Sequence, residues 1–348
     1  MVSRVVLFES WLTICVIVLL PLGLMGLFEP CYKYYVNQKL DVGLFDDTFL
    51  VAGKVCDREC IRREISDNRI PVDLSIIIPA FNEEKRLPVM LDSVLHFLKD
   101  YKSDEKFSYE IIVVDDYSTD GTNNLVLDFV DKSMEQNKPD SDSGEIGADI
   151  RLLKLRRNHG KGGAIKRGTF HSRGKYVLFA DADGATDIKD LDKLLTRIQS
   201  IEIDSPKLGG SVGMTIGSRA HLEKKSIAKR KFYRTILMHG FHFLVSILCS
   251  SNVKDTQCGF KLFTQKTAKV LFTNLHIEGW AFDTELIYLA ETLGIPIGEE
   301  SVVWNEIEGS KLIQNKFDVI KTSIVMARDM LCLRIAYVLG FWNVIETV

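Results

Sequence analysis

Charge of one sign is what the 348-residue chain has least of. Its 44 Lys and Arg stand against 47 Asp and Glu, for a formal net charge of −3. That balance gives no global pull toward nucleic acid, so any anion has to be held at a local site. Cysteine is sparse as well: seven residues, an odd and scattered set, do not form a secreted disulfide framework. Cys56 and Cys60 have a spacing that suits zinc, but no second ligand pair follows at a usual distance, and both are read as reduced thiols. Long apolar runs are also scarce. Only residues 5–28 are almost wholly apolar, with Glu9 as the single charge.

Roughly 20 such residues cross a ~30 Å hydrocarbon layer, whereas the apolar core of a cleaved signal peptide is usually ~7–15 residues long. No small-x-small cleavage site follows, so the expectation for residues 1–28 is a single-pass membrane anchor. Arg4 precedes the run and Lys33, Lys39 and Lys54 follow it, which points the rest of the chain toward the cytosol. Residues 236–250 and 329–342 are shorter apolar stretches that do not reach a comfortable span. Interfacial helices against a lipid bilayer are one reading of both. A core helix is an equal reading of the first, while the second, closing on Trp342, suits the membrane better.

Residues 29–73 are mixed and charged and read as a juxtamembrane connector. Beyond them the pattern changes. LSIIIPAFNEE, YEIIVVDDYSTDGT, RLLKLRRN and KYVLFADADG are apolar, β-branched runs, and segments of helical spacing lie between them. Strands that are apolar throughout and alternate with helices imply a mostly parallel sheet covered on both faces. Ligands of such sheets bind beyond the carboxyl ends of the strands. Here those ends carry Pro79–Glu83, Asp115–Asp116, Asn158–Gly163 and Asp181–Asp183. The glycine loop NHGKGGAIKRG is neither a dinucleotide fingerprint nor a P-loop, since Ile165 stands where the former needs glycine and no Lys-Ser/Thr pair follows its last glycine. Exposed amides and Lys161 at a helix start nevertheless favour a phosphate. Asp181 and Asp183, alternate residues at a strand end, can converge on one hard cation such as Mg²⁺ or Mn²⁺.

IIIPAFNEE, VVDDYSTDGT, NHGKGGAI and ADADGATD, in that order and spacing, resemble the inverting family 2 glycosyltransferases of the GT-A fold. GSRAHLEKKSIAKRKFYRTILMHGFHFLV, DTQCGFKLF, WAFDTELIYLA and VVWNEIEGSKL narrow the resemblance to the eukaryotic dolichyl-phosphate β-glucosyltransferases. It implies an α/β GT-A domain over 74–312, with an N-terminal transmembrane helix and amphipathic C-terminal helices over 313–348. It also implies UDP-glucose as donor, dolichyl phosphate as acceptor, a divalent metal, and an anchored position on the cytosolic face of the endoplasmic reticulum.

Carried over residue by residue, the resemblance places Pro79, Ala80, Phe81, Glu83 and Asp115 on uridine, with Asp116 supporting the loop. Lys161, Gly162 and Gly163 fall near the diphosphate or its base. Asp181, Ala182 and Asp183 form the D-x-D signature, with Asp183 as direct ligand and Asp181 coordinating or holding sugar hydroxyls. Arg219 and Arg234 match acceptor-phosphate positions, and arginine's planar fork suits phosphate oxygens. Asp255 and Asp283 are the first and second choices for a later catalytic carboxylate, with Glu285 beside them. Trp280 is read either as a sugar platform or as a buried aromatic. A GDP-mannose enzyme, a processive synthase and a non-catalytic nucleotide-sugar-binding protein are the rival readings. The synthase lacks support, because no Q-x-x-R-W segment is present.

Overall fold

In the computed structural model the described residues are 26–40, 48–51, 54–56, 72–101, 107–136, 149–221, 253–305, 307 and 316–346. In chain order they form α1 (Glu29–Leu40), β1 (Thr48–Val51), β2 (Lys54–Cys56), β3 (Val72–Ala80), α2 (Leu87–Asp100), β4 (Tyr109–Asp115), α3 (Thr122–Gln136), β5 (Asp149–Lys154), α4 (Gly160–Phe170) and β6 (Gly174–Ala180). There follow α5 (Leu191–Ile201), β7 (Ile203–Ser205), β8 (Gly210–Val212), β9 (Met214–Ser218), β10 (Phe260–Thr264), α6 (Gln265–Asn274), α7 (Phe282–Thr292), β11 (Ile297–Ser301) and α8 (Lys316–Val338).

The four apolar runs are β3, β4, β5 and β6, and they pair in parallel at the centre of a nine-stranded sheet of order β11-β9-β10-β6-β3-β4-β5-β1-β2. Their side chains are buried on both faces: Ile76, Ile77, Ile78, Ile112, Val113 and Leu178 are inaccessible to solvent. Helices cover both sides because each crossover between parallel strands must return over a face. β10 enters antiparallel between β6 and β9, and this brings the later DTQCGFKLF segment beside the D-x-D strand end. Phe260 pairs with Ala180, one residue before Asp181.

The stretch expected as a connector contributes to the sheet. β1 and β2 form a hairpin, and β1 lies antiparallel on β5. Cys56 ends β2, while Cys60 lies outside the described residues. The membrane expectations fare differently at the two ends. Among the described residues no helix is long and apolar enough to cross a membrane, and the run 5–28 lies almost wholly outside them, as do 236–250 and Arg234. Trp342, expected at lipid, is instead buried. It stacks on His276 with centroids 4.3 Å apart and 9° between the planes, in a small cluster with Cys31, Ile277, Met330 and Leu333. His276 supplies a flat partner that turns an aromatic end of a helix inward.

Candidate active site

The carboxyl ends of β3, β4 and β6 and the start of α4 meet in a cleft of about 420 Å³. Its walls include Pro79, Phe81 and Glu83 from the end of β3, and Asp116 just beyond β4. Lys161 from α4, the Asp181–Asp183 run and Trp280 complete it.

Asp181 and Asp183 are each held on one oxygen. Lys161 Nζ lies 2.6 Å from Asp181 Oδ1, and the Ala185 amide donates to Asp183 Oδ1 at 3.0 Å. Asp181 is pressed against β10: its amide donates to the Gly259 carbonyl, and a Cβ at Gly259 would sit 1.9 Å from Asp181 Oδ2. Only glycine leaves room for that carboxylate. Burial, and then the neighbouring charge of Asp181, push the Asp183 carboxyl above its usual range. Arg86 Nη1 stands 3.7 Å from Asp183 Oδ2 and is itself forked onto Glu83 at 2.7 and 2.5 Å.

This donor set fits a divalent cation. Two hard carboxylate oxygens at one strand end, with like-charge repulsion to relieve, are what Mg²⁺ or Mn²⁺ takes, and such ions complete their shell with substrate phosphate and water. Among the described residues no group of three His, Cys, Asp or Glu side chains converges on a metal position.

Behind the pair lies a buried ion pair. Lys261 on β10 is inaccessible to solvent, and its ammonium donates to Asp283 Oδ1 at 2.5 Å and to the Cys258 carbonyl at 2.6 Å. Burial raises the Asp283 carboxyl despite the charges of Lys261 and Lys161. On the other flank Arg219 clasps Asp255 through Nε at 2.7 Å and Nη2 at 2.9 Å, with its guanidinium 5.6 Å from the Trp304 ring. Burial opposes ionisation of Asp255, but the Arg219 hydrogen bonds and charge hold its carboxyl below the usual range.

The "Glycosyl transferase family 2" profile matches residues 75–271. The chain is 48% identical over 283 residues to the dolichyl-phosphate beta-glucosyltransferase of Dictyostelium discoideum, covering 80% of both chains. To that of Mus musculus it is 46% identical over 276 residues, covering 79% of this chain and 78% of the other. It belongs to the dolichyl-phosphate beta-glucosyltransferases of glycosyltransferase family 2. Among solved structures, glucosyl-3-phosphoglycerate synthase from Mycobacterium tuberculosis, in complex with Mn²⁺, uridine-diphosphate-glucose and glycerol 3-phosphate, aligns at a TM-score of 0.47. The identity is 15%, over 79% of this chain and 83% of that one.

In this family 2 glycosyltransferase the residues expected at the site are distributed as follows. Pro79, Ala80, Phe81, Glu83, Asp116, Lys161, Asp181, Ala182 and Asp183 all line the cleft. Asp115 does not: it is fully buried, and its carboxylate accepts the Ser118 amide at 3.1 Å. Gly162 packs against Phe282, where a Cβ would come within 2.6 Å of the Phe282 Cβ. Glu285 serves the fold, accepting the amides of His276 and Ile277 and the Tyr337 hydroxyl.

Part of the glycine turn is satisfied from within the protein. Its amides at His159 and Gly160 donate to the two oxygens of Asp116, at 2.6 and 2.8 Å, so an internal carboxylate takes these two amides while Lys161 lines the cleft. Gly160 has φ +79°, a left-handed conformation that suits glycine, and it lets the turn approach the Glu278 carbonyl. One charged lining residue was missed, Arg86. Arg86 stands in EEKRLP, which reads as a solvated helix start; its place only a few residues past a functional strand end was the available signal.

Burial raises the Asp116 carboxyl to about 6, against the opposing pull of the two amides and of His159 and Arg167. Below that value the carboxyl protonates and loses acceptor capacity for the turn that carries Lys161. UDP-glucose affinity is therefore expected to fall as the pH drops through about 6, and to be flat there in Asp116→Asn. Titration of binding without acceptor checks this, because the donor's diphosphate has no second ionisation in that range. The same shift makes a separate prediction for stability. A folded pKa above the unfolded one means that ionising Asp116 costs stability progressively from about pH 4 to about pH 6, and not below.

Proposed function

We propose that this chain transfers glucose from UDP-glucose to dolichyl phosphate with inversion at the anomeric carbon. A single observation carries the reading. The Asp181–Asp183 pair closes the cleft beside Lys161 and Arg86, in a chain nearly half identical to dolichyl-phosphate beta-glucosyltransferases. Pro79, Phe81 and Glu83 take the uridine at one end. Lys161 and Arg86 bring positive charge to the position of the diphosphate. Asp181 and Asp183 would hold Mg²⁺ or Mn²⁺, which offsets negative charge on the departing diphosphate.

The acceptor phosphate attacks the anomeric carbon from the face opposite UDP. The new C–O bond forms as the bond to the diphosphate oxygen breaks, and the electron pair leaves with UDP. A phosphate monoester has its second pKa near 6, so it arrives mostly as a dianion, and no strong general base is required. Asp255 accordingly acts as the orienting partner of Arg219, holding its Nε and Nη2 so that the remaining edge of the guanidinium serves the acceptor phosphate, rather than as a base. Arg234 belongs to the same acceptor reading and lies outside the described residues.

The lipid side of the proposal is a membrane-bound enzyme of the endoplasmic reticulum, anchored by residues 5–28 with its site on the cytosolic face. α8 supports it. Ile320, Ile324, Leu331 and Val338 are all exposed and, at 100° per residue, fall within about 40° of one another around the helix. The test is transfer by the full chain in detergent from labelled UDP-glucose to a polyprenyl phosphate with Mg²⁺, with GDP-mannose as rival donor. Glucosyl product that is β-configured and lost in chelator is expected. Equal or better use of GDP-mannose overturns the donor, and undiminished turnover in chelator overturns the metal.

A further inference from the structure

We propose that Trp280 is the platform on which the hexose of the donor stacks, and that it adds affinity for the sugar independently of the nucleotide. The proposal deepens the glucosyl-transfer reading and rests on it. Two exposed large aromatic rings line the cleft, Phe81 and Trp280, at 40% and 41% accessibility. Phe81 directly follows β3, among the residues assigned to uridine. Trp280 comes from the loop before α7.

That loop is fixed from behind. The Glu278 carboxylate meets Arg167 Nη1 at 3.1 Å and His159 at 3.6 Å, and its carbonyl accepts the Gly163 amide at 3.2 Å. Burial opposes ionisation of Glu278, but His159 and Arg167 bring its carboxyl down to about 2, so the anchor stays charged. A ring carried by a rigid loop and left open on a concave wall is preorganised for a flat apolar partner.

Position selects the partner. Lys161 Nζ is 5.8 Å from the Trp280 ring centroid and 2.6 Å from Asp181 Oδ1. The ring is thus one ammonium away from the carboxylate pair, beside the junction of diphosphate and sugar. A glucopyranose with equatorial hydroxyls presents C–H bonds on its ring faces and hydroxyls at its edge. The faces suit indole, and the edge suits the carboxylates beyond Lys161.

The test uses the full chain in detergent and measures Kd for UDP and for UDP-glucose without acceptor, in wild type, Trp280→Ala and Trp280→Phe. Trp280→Ala is expected to raise the UDP-glucose Kd about 5- to 10-fold while the UDP Kd stays within about twofold. Trp280→Phe is expected to recover most of the loss. Equal weakening of both ligands assigns the ring to holding Lys161 or the loop and overturns the proposal, as does no change in either. In a parallel transfer assay of the same proteins, a rise confined to the KM of polyprenyl phosphate gives the ring to the acceptor and overturns it too. Wild-type protein that neither binds nor uses UDP-glucose refutes the underlying activity instead, and that outcome is read without any variant.

Discussion

Asp183→Ala is expected to reduce glucosyl transfer by a factor on the order of 10²–10⁴ while leaving the protein at least as stable as wild type. Both halves come from the same geometry. Asp183 faces the cleft with one oxygen on the Ala185 amide and the other 3.7 Å from Arg86. Its carboxyl is raised by burial and by Asp181, so in the free enzyme ionising it works against folding. Removing the group relieves that repulsion and costs one loop hydrogen bond, two small and opposed terms. In the reaction the balance inverts. The second hard ligand of the pair is lost where charge builds on the leaving diphosphate, and of the other cleft carboxylates Glu83 is bound by Arg86 and Asp116 by the glycine turn, which leaves Asp181. Single-turnover rates at saturating donor and Mn²⁺, read beside a melting curve, check both halves. A rate within tenfold of wild type removes the metal assignment. A large fall in Tm would mean that the loss reflects unfolding instead.

Much of this site was legible because continuous apolar runs mark parallel strands and their polar last residues mark one edge. Asp181, Asp183, Glu83 and Lys161 were found in that way, each at a strand end or helix start. What the sequence concealed depends on pairings made across the fold. Lys261 in FKLF sits where a half-exposed strand would alternate, so a solvated lysine is the natural reading; β10 is instead buried on both faces between β6 and β9. Its partner Asp283 is 22 residues away on a helix, and no local pattern announces the contact. The glycine turn is ambiguous for a related reason. A helix start rich in glycine attracts an anion, and nothing in NHGKGG tells whether that anion is a ligand or the protein's own Asp116. Trp342 follows the same logic, since the ring that covers it, His276, belongs to a distant segment.

Lys261→Met supplies the largest expected stability effect. The substitution keeps the volume of the stem but removes the ammonium from a position with no solvent access, leaving Asp283 buried against Lys161 alone and at a longer reach. Breaking a buried pair from one side costs about 3–5 kcal/mol, because the remaining charge must be desolvated without its partner. Removing both sides costs far less, so Lys261→Met combined with Asp283→Leu is expected to regain most of the loss. The pH dependence has a definite sign. An Asp283 deprived of Lys261 has a folded pKa still further above its unfolded value. The deficit of the single variant is therefore greatest above the folded pKa and shrinks as the pH falls toward the unfolded one. Melting curves of the single and double variants between about pH 4.5 and 8 read all three expectations. A single variant as stable as the double at every pH would show that Asp283 is not held in place by Lys261. The wall against which Asp181 rests would then have to be explained by Gly259 and β10 alone.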